Sequence, residues 1–359
     1  MGRSEAKLDV RGGGIHRHYF FIMRRVQCPA TYQEIISLEN LLSAWWEFCR
    51  GKRRSRDVQE FERDLMANIL ELYEELVTES YRHGGYERFT ISDPKPRIIH
   101  KASVRDRLLH HAIYRRLYPF FDRTFVSDSY SCRLNKGSHK AIARFRRFAH
   151  ALSANGTKTV WMLKCDIRKF FDSIDQAILI ELLSKYISDP AIRILLNDVV
   201  ASFEAGPGRG LPLGNLTSQL LVNIYMNEFD QFVKRSLHMR HYIRYADDFI
   251  ILSRNRAELE HLIPAIEKFL GQELKLSLHP RKVSIETFAS GIDFLGWVHF
   301  PSHSVLRTST KRRMMKNIRG KPEPDVLASY HGLLSHGNTF ELRQELDNAY
   351  GLFHNPYLA

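Results

Sequence analysis

Cysteine is scarce in this 359-residue chain, and its four residues, Cys28, Cys49, Cys132 and Cys165, are scattered. They form no metal-ligand spacing and no disulfide framework, and they read as reduced thiols of a cytoplasmic protein. The apolar stretch Tyr19-Phe20-Phe21-Ile22-Met23 is too short for a secretory h-region or a membrane span. No amphipathic anchor is found, so no membrane partner is expected. Ala6 stands where a myristoylation signal needs Ser or Thr. Asn215-Leu216-Thr217 matches a glycosylation acceptor by pattern only. No internal repeat is visible. Acid is in short supply: 40 Asp and Glu face 53 Lys and Arg, a net charge of +13. That balance favours a polyanionic partner, nucleic acid being the commonest. The hydrophobic fraction, 44%, is ordinary, and the length suggests two or three subdomains around a sizeable core.

What is present centres on Ile243-Arg244-Tyr245-Ala246-Asp247-Asp248-Phe249-Ile250-Ile251-Leu252. Two adjacent carboxylates stand between apolar, β-prone runs, which reads as a hairpin with the acids at or beside its tight turn. Adjacent strand side chains point to opposite faces, so both acids reach one site only if the backbone bends there. A bare Asp-Asp is usually turn chemistry and nothing more. A third acid, Asp166, ends another apolar run, Thr159 to Cys165, and shifts that balance. Three carboxylates at strand ends suit a pair of hard divalent ions, which take oxygen ligands and align a nucleophile and a leaving group on phosphorus.

Around this centre the chain reads as alternating helices and strands. Residues 1 to about 30 lack periodicity and suggest a flexible tail, with Met23 as an alternative initiator. Ser37 to Cys49 has a helical stripe of Leu38, Leu41, Leu42, Trp45 and Trp46. The run Lys52-Arg53-Arg54 follows, a solvated patch or a phosphate contact. Asp57 is placed to cap one helix carrying Phe61, Leu65, Ile69, Leu72 and Leu76. Pro94-Lys95-Pro96-Arg97 favours an extended ribbon from which Lys95 and Arg97 project. Arg105 to Ile113 is a basic helix whose adjacent histidines, His110 and His111, face different ways and so pack or lie on the surface rather than share a metal.

The loop containing Arg133 and Lys136 leads into a helix with Ala141, Ile142 and Phe145; it suits either phosphate binding or an ordinary loop. A helix with Leu179, Leu182, Leu183 and Tyr186 comes after Asp166. The glycine-rich loop Gly206 to Gln219 lacks the Gly-Lys-Thr ending of a P-loop and feeds a long helix, with Thr217 or Ser218 near its cap. Glu258 to Leu270 reads as a helix, Leu274 to Leu278 as a strand leading to Lys282, and Ile292 to Val298 as a second hairpin. From Arg307 the chain turns basic and helical, with Lys311, Arg312 and Arg313.

In this order the segments resemble reverse transcriptases, across roughly residues 35 to 355. Tyr245-Ala246-Asp247-Asp248 is similar to that family's Tyr-x-Asp-Asp box, and Asp166 to Phe171 to the box supplying the other metal-binding Asp and an aromatic gate against ribonucleotides. Leu211-Pro212-Leu213-Gly214 resembles the loop beside the incoming base pair, Lys282 the lysine assisting pyrophosphate departure, Phe294-Leu295-Gly296-Trp297 the primer grip, and Arg97 the triphosphate-holding arginine.

The resemblance implies an α+β right-hand polymerase fold with an antiparallel palm sheet and a short helical thumb. The expected division is a tail (1–30), N-terminal helices and fingers (31–158), palm (159–300, with a fingers-like insertion around 180–212) and thumb (301–359). It further implies two Mg²⁺ held by Asp166, Asp247, the Ile167 carbonyl and the supporting Asp248, with Lys282 as general acid. The nucleotide would meet Lys95, Arg97, Phe171, Leu213, Gly214, Ser218 and Gln219. Nucleic acid would meet Tyr245, Leu295, Gly296, the early and late basic runs, Arg133 and Lys136.

Most relatives have Gln at Leu213 and Ser-Pro at Ser218-Gln219. The version here resembles the enzymes of diversity-generating retroelements, which mutagenise at template adenines and work with an RNA template, a DNA primer, dNTPs and a small basic accessory protein. The Lys52-Arg53-Arg54 and Pro94-to-Arg97 stretches resemble that group too. The chain shows no HNH endonuclease, RNase H or zinc-binding tail. The alternatives are an antiphage-defence or CRISPR-associated reverse transcriptase and a catalytically silent RNA-binding protein.

Overall fold

The computed structural model describes residues 26–92, 96–320 and 323–354. The expected tail up to residue 25, with Met23, and Lys95 lie outside these residues. The strands are β1 (Tyr86–Ile91), β2 (Arg97–Ala102), β3 (Trp161–Asp166), β4 (Tyr242–Tyr245), β5 (Asp248–Ser253), β6 (Ser284–Thr287), β7 (Ile292–Phe294), β8 (Trp297–His299) and β9 (Ser304–Leu306).

Period-two alternation builds the central sheet, ordered β4-β5-β3-β6 with every pair antiparallel. Tyr242, Leu163, Cys165, Phe249 and Ile251 face the main core. That core includes residues from helices Val104–Thr124, Gln176–Ser184, Leu216–Gln231 and Arg256–Glu273. Met162, Ile243, Ile250 and Leu252 face the other way, onto Ala141, Phe145 and Phe148 of helix Ser138–Leu152 and onto Phe288, Ile292 and Phe294. With both faces covered, the strands read as continuous apolar runs rather than half-polar ones. Helix Leu216–Gln231 is buried nearly all round, from Leu220 to Phe229, and is the spine of the main core.

Two smaller sheets flank this one. β1 and β2 form an antiparallel ribbon, as the prolines suggested. β7, β8 and β9 form a meander ahead of helices Thr308–Arg319, Pro324–Leu334 and Phe340–His354, confirming the basic helical ending.

Three local expectations are corrected. Trp46 is 56% exposed, because the buried stripe runs through Leu41, Ala44, Trp45 and Phe48; Arg53 lies over its ring. The helix expected from Asp57 is two helices, Arg56–Arg63 and Leu65–Val77, broken at Asp64, where φ is −117° and ψ 37°. Asn68 donates to the Phe61 carbonyl across the break, while Asp57 lies in the first turn after the cap Ser55, where it accepts from the Val58 amide and pairs with Lys101 and Arg107. Leu274, Leu276 and Leu278 alternate inward as expected, but Lys275 is left-handed (φ 49°) and only Leu278 bridges to Ile167, so no strand forms. Asn215 occupies the cap of the spine helix, with Thr217 and Ser218 in its first turn, near the cap as expected.

Candidate active site

The ladder between β3 and β5 places Asp166 directly opposite Asp248, and that between β4 and β5 places Tyr245 opposite Asp248. Directly paired residues share a face, so Tyr245, Asp248 and Asp166 form a row at the sheet end. Ala246 is left-handed (φ 57°) and supplies the bend the two acids require. The Ile167 amide donates to the Asp247 carbonyl (3.1 Å), and the His279 amide to the Asp166 carbonyl (2.8 Å). Backbone bonds thus lock the turn to the end of β3 and bring Lys282 within reach.

The electrostatics follow from this crowding. Burial, then the Asp166 charge, raises the pKa of Asp247, against the opposing charges of Lys282 and Arg97. Asp248 is pushed up to about 7, first by burial and then by Asp247, Asp166 and Asp293, with Lys164 opposing. Its Oδ1 is buried without a hydrogen-bond partner. Lys282 Nζ lies 2.6 Å from Asp166 Oδ2. Clustered carboxylates with an unpartnered oxygen favour added cation charge.

Among the described residues no group of three or more His, Cys, Asp or Glu is arranged to hold a metal by itself. The donor set of Asp166, Asp247 and the Ile167 carbonyl nevertheless fits a hard ion of the kind that takes one or two carboxylates and completes its shell with substrate phosphates.

The residues expected to meet the nucleotide are equally connected. The His100 amide of β2 donates to the Leu213 carbonyl (3.0 Å), and Asn215 Nδ2 donates to the His100 carbonyl (2.8 Å). Gly214 has φ +113°, and a Cβ there would come 2.7 Å from Ile99 Cγ2. The Leu211 amide bonds the Phe171 carbonyl (2.9 Å). The ribbon bearing Arg97, the loop bearing Leu213 and Gly214, and the segment bearing Phe171 are therefore one joined unit. Arg97 is exposed on β2. Gln219 is half-buried, whereas Ser218, 2% exposed, points into the protein interior rather than towards a nucleotide.

Leu295 and Gly296 form the tight turn between β7 and β8, both left-handed (φ 52° and 88°), and Gly296 accepts from the Arg307 amide (3.0 Å). Lys311 pairs with Glu345 (2.8 Å), and with Arg312, Lys316 and Arg319 it lines a basic cleft of about 520 Å³. Lys52, Arg53 and Arg54 are exposed.

Of two expected nucleic-acid contacts, Arg133 is turned inward and Lys136, half-buried, is tied to a neighbouring carbonyl. Arg133 bonds Asp122 (2.7 Å) and the Val126 and Ser129 carbonyls, leaving 5% of its side chain exposed. Lys136 bonds the Ser127 carbonyl (2.7 Å) over the Tyr130 ring. The sequence reading also missed Lys164 and Arg244. Their signal was a cation alternating with apolar residues inside a strand.

Acids at the ends of antiparallel strands, with the Arg97 charge of the β1–β2 ribbon acting on Asp247 and basic helices following, make the arrangement of a polymerase of the right-hand type. The family model described as reverse transcriptase (RNA-dependent DNA polymerase) matches residues 92–299, more than half of the chain. The chain belongs to the reverse transcriptase family and is an RNA-directed DNA polymerase with the right-hand polymerase fold. Its substrates are an RNA template, a nucleic-acid primer and dNTPs, and the family generally uses divalent metal ions.

The chain is 25% identical to protein YkfC of Escherichia coli over 292 residues, covering 70% of this chain and 74% of that one. It is 22% identical to the group II intron-encoded protein LtrA of Lactococcus lactis over 260 residues, 54% of this chain but 42% of LtrA. A structure of apo telomerase from Candida tropicalis aligns with a TM-score of 0.46 at 13% identity, covering 66% of this chain and 59% of that one. No helix among the described residues is long and apolar enough to cross a membrane.

Proposed function

We propose that this reverse transcriptase makes error-prone cDNA from the template-repeat RNA of a diversity-generating retroelement, in the cytoplasm and alongside a small basic accessory protein. The observation that carries this reading is Leu213. It stands on the loop joined to the Arg97 ribbon, where most relatives have Gln, and Ser218-Gln219 replaces their Ser-Pro. An apolar side chain there removes a hydrogen-bonding check on the template–nucleotide pair, and a site that enforces less polar geometry discriminates less. The fingers, palm and thumb divisions at residues 31–158, 159–300 and 301–359 belong to the same proposal.

Asp166, Asp247 and the Ile167 carbonyl would hold two Mg²⁺, with Asp248 in support; such ions activate the primer 3′-hydroxyl and neutralise triphosphate charge. Arg97 would contribute a fixed positive charge for the triphosphate, and Lys282, beside Asp166, would protonate the departing pyrophosphate. Phe171 narrows the space beside the sugar and so disfavours a 2′-hydroxyl. The test is primer extension on RNA with sequencing of the cDNA. Errors concentrated opposite template adenine support the proposal. Accurate cDNA overturns it in favour of a defence-type or CRISPR-associated enzyme.

A further inference from the structure

β4, which leads into the catalytic turn, carries one charge, and that charge faces inward. Arg244 is 0% exposed. Its Nε and Nη2 grip Asp230 at 2.8 and 2.7 Å, and Asp230 is itself 0% exposed. Nη2 also reaches Ser129 Oγ (3.0 Å) and Asn223 Oδ1 (3.3 Å). Nη1 donates to the carbonyl of Ala246 (3.1 Å). Tyr242 donates to Asp230 Oδ1 (2.6 Å). The Arg244 backbone is held as well, its amide by the Asp128 carbonyl and its carbonyl by the Tyr130 amide, both at 3.0 Å.

Stability alone is a weak reason for such a pair, because well-packed apolar residues often replace a buried ion pair without loss. The bond to Ala246 supplies a different reason. Ala246 is left-handed, a conformation that residues with a Cβ disfavour. It directly precedes Asp247, and the orientation of the peptide between them sets where that carboxylate goes.

We propose that Arg244 is a positioning residue of the polymerase reaction. Anchored by Asp230, its guanidinium holds the Ala246 carbonyl and with it the left-handed turn that presents Asp247 to Asp166. The inference rests on the reading of Asp247 as a catalytic carboxylate. The side chain suits the task because the planar fork can bind both oxygens of Asp230 and keep a donor for the carbonyl, which a lysine ammonium cannot reproduce.

The test uses the full chain with Arg244→Lys, Asp230→Asn, Ala246→Gly and the double variant Arg244→Lys/Ala246→Gly, in steady-state primer extension beside thermal unfolding. Glycine takes positive φ without penalty and so relieves the need for the clamp. Arg244→Lys is expected to lower kcat about tenfold or more, with KM for dNTP within about twofold. Adding Ala246→Gly should recover kcat several-fold without raising the unfolding temperature. An unchanged kcat in Arg244→Lys, or a kcat that merely follows unfolding temperature without rescue by glycine, overturns the role. Should Arg244→Lys fail to fold, Asp230→Asn, which loosens the guanidinium while keeping it, carries the same kcat and glycine-rescue expectations. Asp247→Ala run alongside separates the two readings. If it extends primers normally, the catalytic assignment fails; if it is inactive while Arg244→Lys is fully active, only the positioning role fails.

Discussion

Lys282 Nζ and Asp166 Oδ2 close an ion pair of 2.6 Å at the edge of the acid cluster, made possible because the His279 amide ties that segment to the end of β3. The Lys282 side chain is 43% exposed, so the pair contributes little to stability, and the role proposed for it is to hold a proton beside the acids. Lys282→Arg keeps the charge but cannot release a proton at neutral pH. Both Lys282→Arg and Lys282→Met are expected to lower single-turnover incorporation roughly 100-fold. Normal incorporation by Lys282→Arg would leave Lys282 a charge only.

Leu213, proposed to face the nucleotide, sits on a loop hydrogen-bonded to β2 through His100. Leu213→Gln is expected to lower misincorporation, measured by sequencing cDNA made with all four dNTPs. If the error rate stays the same, the apolar loop is not the source of infidelity.

Gly214 is the tightest point of the same joint. Gly214→Ala forces a Cβ against Ile99 at a backbone angle that residues with a side chain rarely adopt. A destabilisation of roughly 1–3 kcal/mol is expected. KM for dNTP should rise as the Arg97 ribbon is pushed away from the loop. Unfolding curves and KM, measured together, check both parts.

His299 gives the fold an acid-sensitive point. It is 1% exposed on β8, its Nδ1 meets Ser304 Oγ at 2.8 Å, and burial lowers its pKa to about 4. The unfolded imidazole titrates near its ordinary value, so between these two pKa values the unfolded chain binds the extra proton. This contribution is therefore full above about pH 6.5 and is lost as pH falls towards 4, on the order of 3 kcal/mol in total. His299→Gln should flatten that part of the stability profile, read as the difference from the parent protein between pH 7 and pH 5.

The acids, the two hairpins and the β1–β2 ribbon were legible because they rest on local signals: period-two alternation, tight-turn chemistry and proline. The pairing of Asp166 with Asp248 was not, since register between distant strands is set by the fold. Arg133 looked like a phosphate ligand because nothing near it in sequence reveals that Asp122, at the end of the preceding helix, folds back onto it. The break at Asp64 was hidden by apolar spacing that continues in phase from Phe61 to Leu65. Leu274 to Leu278 shows the converse, an alternation that predicted burial correctly and pairing wrongly. Arg244 sat inside the best-read motif, yet its importance depends on Asp230, Asn223 and Ser129 converging from elsewhere.

The most direct measurement is primer extension on an RNA template with Mg²⁺ and dNTPs, comparing the parent protein with Asp247→Ala. The account predicts extension by the parent and loss of about 100-fold or more in the variant, since charge-stabilising groups of this kind are commonly worth that much. Equal extension by both proteins would contradict the assignment of Asp247, Asp166 and Asp248 as the catalytic centre.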